Sequence, residues 1–173
     1  GAITNSWERL SLYESRDLLS RFYQKRHGRE LSAEKAYEII AHLAQGRGFF
    51  TSAGQSSELV RPLLLYYGVY ALPEACVVEL LPDGLDLSSL SLLYLIAYSM
   101  GMLARHYPSK WLSLLNSSKG DFAFPLMKAA TTVVENRFPQ LVLQELEDHN
   151  KEMKGLKNLA RITLLIVRYI QPF

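Results

Sequence analysis

The stretch Leu90–Ala104, "LSLLYLIAYSMGMLA", constrains this chain more than any other. It is too short for the roughly 20 apolar residues that span a bilayer, and it carries two serines and a glycine. It therefore predicts a helix buried inside a protein. Helical punctuation recurs on both sides of it. Ser11 and Glu14 have the form of a capping box, with Leu18, Leu19 and Phe22 following at helical spacing and Gly28 as the stop. Ser32 caps a second predicted helix, with Ala36, Ile39, Ile40 and Leu43 on its apolar face and Gly46 as its end. Ser57 caps a third, and Pro73 is expected to kink or split it.

The stretch Pro82–Ser89, "PDGLDLSS", reads as a loop. The apolar helix follows it to about Tyr107, then a short helix over Trp111–Leu115 and a polar loop, "NSSKGD". Further helices are expected at about Asp121–Asn136, Pro139–His149 and Leu156–Ile170. No convincing run alternates apolar and polar residues, although "ACVVELL" has some strand character. The pattern predicts an irregular all-α bundle in a single domain, residues 1–173.

Composition narrows the function classes. The net charge is +2, from 19 basic and 17 acidic residues, so overall charge points neither to nucleic acid nor to an acidic-surface partner. The single cysteine, Cys76, cannot form an internal disulfide and reads as a small buried hydrophobe. The first residues, "GAITNSW", lack the basic and apolar parts of a leader. A cytoplasmic protein without membrane segments is the expectation.

Chemistry-bearing residues are sparse. His27, His42, His106 and His149 are scattered and lack cysteine partners, so no metal site is expected. No phosphate-binding glycine loop and no cofactor motif is present. His42 reads as a structural histidine, and Asp148, His149 and Glu152 read as a solvated face. The strongest candidate is the helix stop "ARHYPSKW". Arg105 and His106 stand where a rigid element meets a turn, beside Tyr107, Lys110 and Trp111. Such a cluster can hold a phosphate, stack a base, or simply close a helix. Tyr66, Tyr67, Tyr70, Tyr94 and Tyr98 crowd the two most apolar helices, and some are expected at a subunit or partner interface.

Three stretches carry a family resemblance: "SWERLSLYESRDLLSRFY", "AQGRGFFTSAGQSSELVRPLLLYYGVYAL", and "SLLYLIAYSMGMLARHYPSKWLSLL" with "ENRFPQLVLQEL" behind it. In these the chain resembles the YaaC-like family of bacterial proteins, which is related in pattern to HEPN-type domains. The resemblance implies an all-α, HEPN-like bundle of about six to eight helices that dimerises. It also implies that loop 82–89 replaces a longer segment of the relatives. The wider HEPN group includes metal-independent ribonucleases, RNA-binding domains and partners of nucleotidyltransferases. Its ribonucleases pair an arginine with a histidine a few residues on, and Arg21 with His27 has that form. On a helix these two lie about 120° apart around the axis, and a basic helix end is the plainer reading.

The expectation is a non-catalytic helical interaction module, a homodimer or the companion of a partner protein, in bacterial defence or stress. Two alternatives stay open. One is a metal-independent ribonuclease using Arg105 and His106, or Arg21 and His27. The other is an RNA- or nucleotide-binding domain using Arg105, Lys110 and Trp111. The sequence leaves open whether the chain is an enzyme.

Overall fold

The computed structural model describes residues 2–76, 88–116 and 123–147. Among these residues there are seven α-helices and no strand. They are α1 (Ala2–Ser11), α2 (Arg16–His27), α3 (Ala33–Gln55), α4 (Arg61–Cys76), α5 (Ser88–His106), α6 (Pro108–Leu115) and α7 (Ala123–Glu147), with a 3₁₀ turn at Leu12–Glu14. The all-α expectation and its helix number hold. The expected strand character beyond Cys76, the loop residues 82–87, "SSKGD", the Asp148–His149–Glu152 group and the helix at 156–170 lie outside the described residues, as does the side chain of Cys76.

The packing is built outward from α4. Its longest interface is with α3, and α5 lies on its other side. Helix α7 closes the bundle against α1, α4 and α5. Leu65, Val69 and Leu72 of α4 are fully buried, as are Ile39, Leu43 and Phe50 of α3 and Ala97 and Met100 of α5. Each such large side chain contributes about 1.5–3 kcal/mol through its removal from water. Leu90–Ala104 is thus a helix walled by α4 and α7, as its length predicts. No helix among the described residues is long and apolar enough to cross a membrane.

Two predicted boundaries are observed as written. Gly28 ends α2 in the left-handed region, at φ 66°, and its amide donates to the Gln24 carbonyl at 2.8 Å. The Ser32 hydroxyl accepts from the Lys35 amide at 3.2 Å and caps α3.

Several boundaries differ, each for a physical reason. Ser11 does not begin a helix but ends α1, its hydroxyl donating to the Glu8 carbonyl at 2.7 Å. Glu14 cannot complete a capping box because Arg47 of α3 holds it with two hydrogen bonds, at 2.7 and 2.9 Å. Gly46 is not a stop. Helix α3 runs on to Gln55, and Gly46 lies where α4 crosses it, its vacant Cβ position 2.8 Å from the Leu72 side chain. Gly68 makes the reciprocal space for Phe50. The first glycine of "GRG" is therefore a close-approach position inside one long helix. Ser57 precedes α4 by a turn, its carbonyl accepting from Val60 and Arg61.

Neither proline splits its helix. Helix α4 continues past Pro73 to Cys76, and α7 runs unbroken through Pro139. An interior proline costs about 3 kcal/mol. Val134, Phe138 and Val142, buried on one face on both sides of Pro139, hold the two halves in line.

The tyrosines largely satisfy one another. Tyr66 packs on Tyr67, Tyr70 and Tyr98, with ring centroids 5.4, 6.3 and 5.7 Å away. Tyr94 is buried, and the other four are partly covered. Among the described residues, the exposed aromatics are Tyr37 and Tyr107.

Candidate functional site

The corner between α5 and α6 is made by a single residue. Tyr107 keeps the last hydrogen bond of α5, its amide donating to Leu103 at 3.0 Å. Pro108 has no amide hydrogen to extend α5, and it disfavours helical geometry in the residue before it. Tyr107 accordingly adopts φ −133°, ψ 56°. Pro108 then occupies the first turn of α6, where its fixed φ suits a helix start. The proline both stops one helix and begins the next.

The predicted residues divide sharply across this corner. Arg105, His106, Tyr107, Pro108, Ser109 and Lys110 are six exposed residues in a row. The Lys110 ammonium lies 5.1 Å from the centre of the Tyr107 ring, a cation–π contact at the surface. Trp111 goes the other way. It is only 1% exposed, and its indole N–H donates to the Glu58 carbonyl at 3.1 Å. So buried a ring is not available to stack a base from solvent, and it anchors the corner to the residues beneath it.

Trp111 leads to a polar group that sequence reasoning missed. Arg61 donates to the Glu58 carboxylate at 2.9 Å and pairs with Glu135 of α7. Gly54 of α3 stands 3.2 Å from the Glu135 carboxylate, measured at its vacant Cβ position. Burial opposes the Arg61 charge, yet Glu135 and then Glu58 together raise its pKa above the ordinary arginine value. Trp111, Glu58, Arg61 and Glu135 thereby tie α6, the α3–α4 connection and α7 into one node. The sequence signal for it is slight: a glutamate three residues before an Arg-Pro pair at a helix start.

Arg105 also acts on the tyrosine cluster. Burial raises the Tyr66 pKa above that of an ordinary phenol, and Tyr98 and Tyr67 add to the effect. The positive charge of Arg105 and a hydrogen bond with Tyr94 oppose it. His106 stands at the helix end, beyond this cluster.

The second predicted pair lies elsewhere. Arg21 is exposed on α2, whereas His27 packs on the Tyr23 ring at 4.4 Å. Six residues of helix separate them by about 9 Å along the axis. Helix α2 packs on α3 and the 3₁₀ turn. His42 is partly buried on α3. Among the described residues no group of three or more His, Cys, Asp or Glu is placed to hold a metal ion. An open depression of about 400 Å³ between α1 and α7 is lined by Arg9, Gln140, Leu143, Gln144 and Glu147 and contains none of the predicted residues.

A family model described as YaaC-like Protein matches residues 10–84 and 79–146, most of the chain. No curated protein and no solved structure matches it at a significant level.

Proposed function

The chain belongs to the YaaC-like family, and from that premise we propose that it is a helical interaction module that pairs with a second copy of itself. The observation that carries this reading is an outward apolar stripe on each of two neighbouring helices. Leu92 and Leu95 of α5 are 58% and 45% exposed, and Leu126 and Val133 of α7 are 63% and 43% exposed. Each pair recurs at helical spacing on the side facing away from the core, and α5 and α7 pack against one another. Exposed apolar side chains grouped this way are the mark of a surface that another protein covers. The corner supports the same reading. Arg105 and His106 stand on six exposed residues, whereas a reaction centre works in a concave, water-excluding site.

Light scattering at tens of micromolar tests the pairing. The expected mass is twice the 19.7 kDa of one chain. Leu92→Glu combined with Leu126→Glu is expected to reduce it to one chain without unfolding, because both side chains are already in water. A wild-type monomer, or a double variant that still pairs, overturns the reading. Incubation of the wild type and His106→Ala with mixed RNA and EDTA addresses catalysis. The expected result is intact RNA in both; metal-free cleavage lost in His106→Ala would make the chain a ribonuclease instead.

A further inference from the structure

The depression between α1 and α7 has a lining whose charges cancel. Arg9 of α1 pairs with Glu147 of α7, and Gln140, Leu143 and Gln144 complete the wall. On an ideal helix these four α7 residues fall within about 100° of arc, so one strip of α7 faces the open space. Leu143 is buried, as are Leu10 and Leu146 on the same two helices, so the strip stands on a packed base.

Every polar position on this strip offers both a donor and an acceptor. A glutamine amide carries N–H donors and a carbonyl oxygen. The Gln140 oxygen accepts from the Arg137 guanidinium at 3.1 Å, which orients that amide and turns its N–H donors to other partners. Gln144 is exposed. A guanidinium and a carboxylate each have more hydrogen-bonding positions than one ion pair uses, and the Arg9 and Glu147 side chains are 50% and 34% exposed.

The spacing of these positions is that of an extended peptide. Gln140 and Gln144 are one turn apart, about 6 Å along the axis. Backbone groups pointing the same way in an extended chain recur every second residue, about 6.6 Å. Glu147 lies about 4.5 Å further on, so the strip matches about three extended residues. A polyanion would meet Glu147 without an excess of cations, and a metal ion would meet Arg9. So open a space leaves a small molecule largely in water, whereas a site for one encloses it.

We propose that this depression binds an extended peptide segment of a partner protein through its main chain. Gln140 and Gln144 each pair with one backbone amide group, the Arg9–Glu147 pair meets a third, and Leu143 lies under one apolar side chain. Main-chain hydrogen bonds supply the affinity in recognition of this kind. Gln140 stands about 21 Å along α7 from Leu126, so peptide binding and self-pairing succeed or fail independently.

NMR titration of the full chain with the capped peptide acetyl-Thr-Val-Thr-Leu-Thr-amide tests the proposal, read from the side-chain amides of Gln140 and Gln144 and the backbone amide of Leu143. The wild type is expected to bind with a Kd of about 1 mM, and all three resonances should shift. Gln140→Ala with Gln144→Ala should bind at least about fivefold more weakly. Both side chains are at the surface, and circular dichroism checks that the variant remains folded. The same peptide with esters in place of alternate backbone amides lacks their N–H donors and should also bind at least about fivefold more weakly. Leu92→Glu with Leu126→Glu should bind at least as tightly as the wild type. Absence of any shift by about 10 mM peptide overturns the proposal. So does unchanged binding by the glutamine variant, equal binding of the ester analogue, equal shifts with free leucine, or loss of binding in Leu92→Glu with Leu126→Glu.

Discussion

Two glycines two residues apart on α3 should respond oppositely to the same substitution. Gly46 and Gly48 both lie inside α3 with ordinary negative φ, so alanine is sterically allowed by the backbone at each. Alanine is favoured over glycine in a helix interior by about 0.8–1 kcal/mol. At Gly48 an added Cβ meets nothing within 4 Å. Gly48→Ala should therefore gain that amount, or about 2–4 °C in Tm for a chain of this size. At Gly46 the new Cβ would stand 2.8 Å from both Cγ and Cδ2 of Leu72, which is fully buried. Cγ is the branch point of the side chain, so clearing it takes a change of χ1 inside a packed core or a shift of the helix. Overpacking of this kind costs about 1–3 kcal/mol, leaving Gly46→Ala destabilised by up to about 2 kcal/mol after the helical gain. Urea denaturation followed by circular dichroism measures both. If Gly46→Ala stabilised the fold as much as Gly48→Ala, the α3–α4 crossing would be wrong. If Gly48→Ala destabilised it, the continuous helix through "GRG" would be wrong.

Two further outcomes follow from the corner and the tyrosines. Trp111→Phe keeps most of the buried ring but leaves the Glu58 carbonyl without its donor; a loss of about 1–3 kcal/mol is expected, read by urea denaturation, and an unchanged midpoint would deny Trp111 its anchoring role. Tyr66 and Tyr98 have pKa values raised by burial, so between the unfolded value of about 10 and the folded value the native state binds more protons. Their contribution is complete below about pH 10 and is lost as pH rises through the folded values; Tyr66→Phe should flatten this alkaline decline in a Tm-against-pH series, and an identical slope in wild type and variant would refute the assignment.

Elements whose limits depend on local chemistry were readable from the residues. Gly28 and Ser32 act through their own backbone conformation or hydroxyl, and both boundaries are observed. The Pro108 stop is observed for the same reason. Limits that depend on a distant partner were not readable. Gly46 looks like a helix end until Leu72 arrives from α4, and Glu14 looks like half of a capping box until Arg47 claims it. Pro139 looks like a break until the burial of Phe138 and Val142 outweighs it. The same distinction applies to the site. The corner could be located from Arg105 to Trp111, but which side chains face water depends on the Glu58 carbonyl, more than 50 residues earlier. The Arg61–Glu135 pair, 74 residues apart, has no local signature at all.

The anchoring of Trp111 changes how the exposed corner has to be understood. Six exposed residues running through a helix corner would fray if nothing below them were fixed. Here the next residue is buried and hydrogen-bonded to Glu58, whose side chain binds an arginine that also binds α7. The corner is thus held from beneath at one point while its upper surface is left in water. A rigid, solvated corner gives little enclosure to a reacting group, and it can be presented to another macromolecule without a large entropy cost on docking. On α2 the same economy recurs in a different form: rings fix two guanidiniums from below and leave the cationic edge outside. Both surfaces are stiff at the base and polar at the rim.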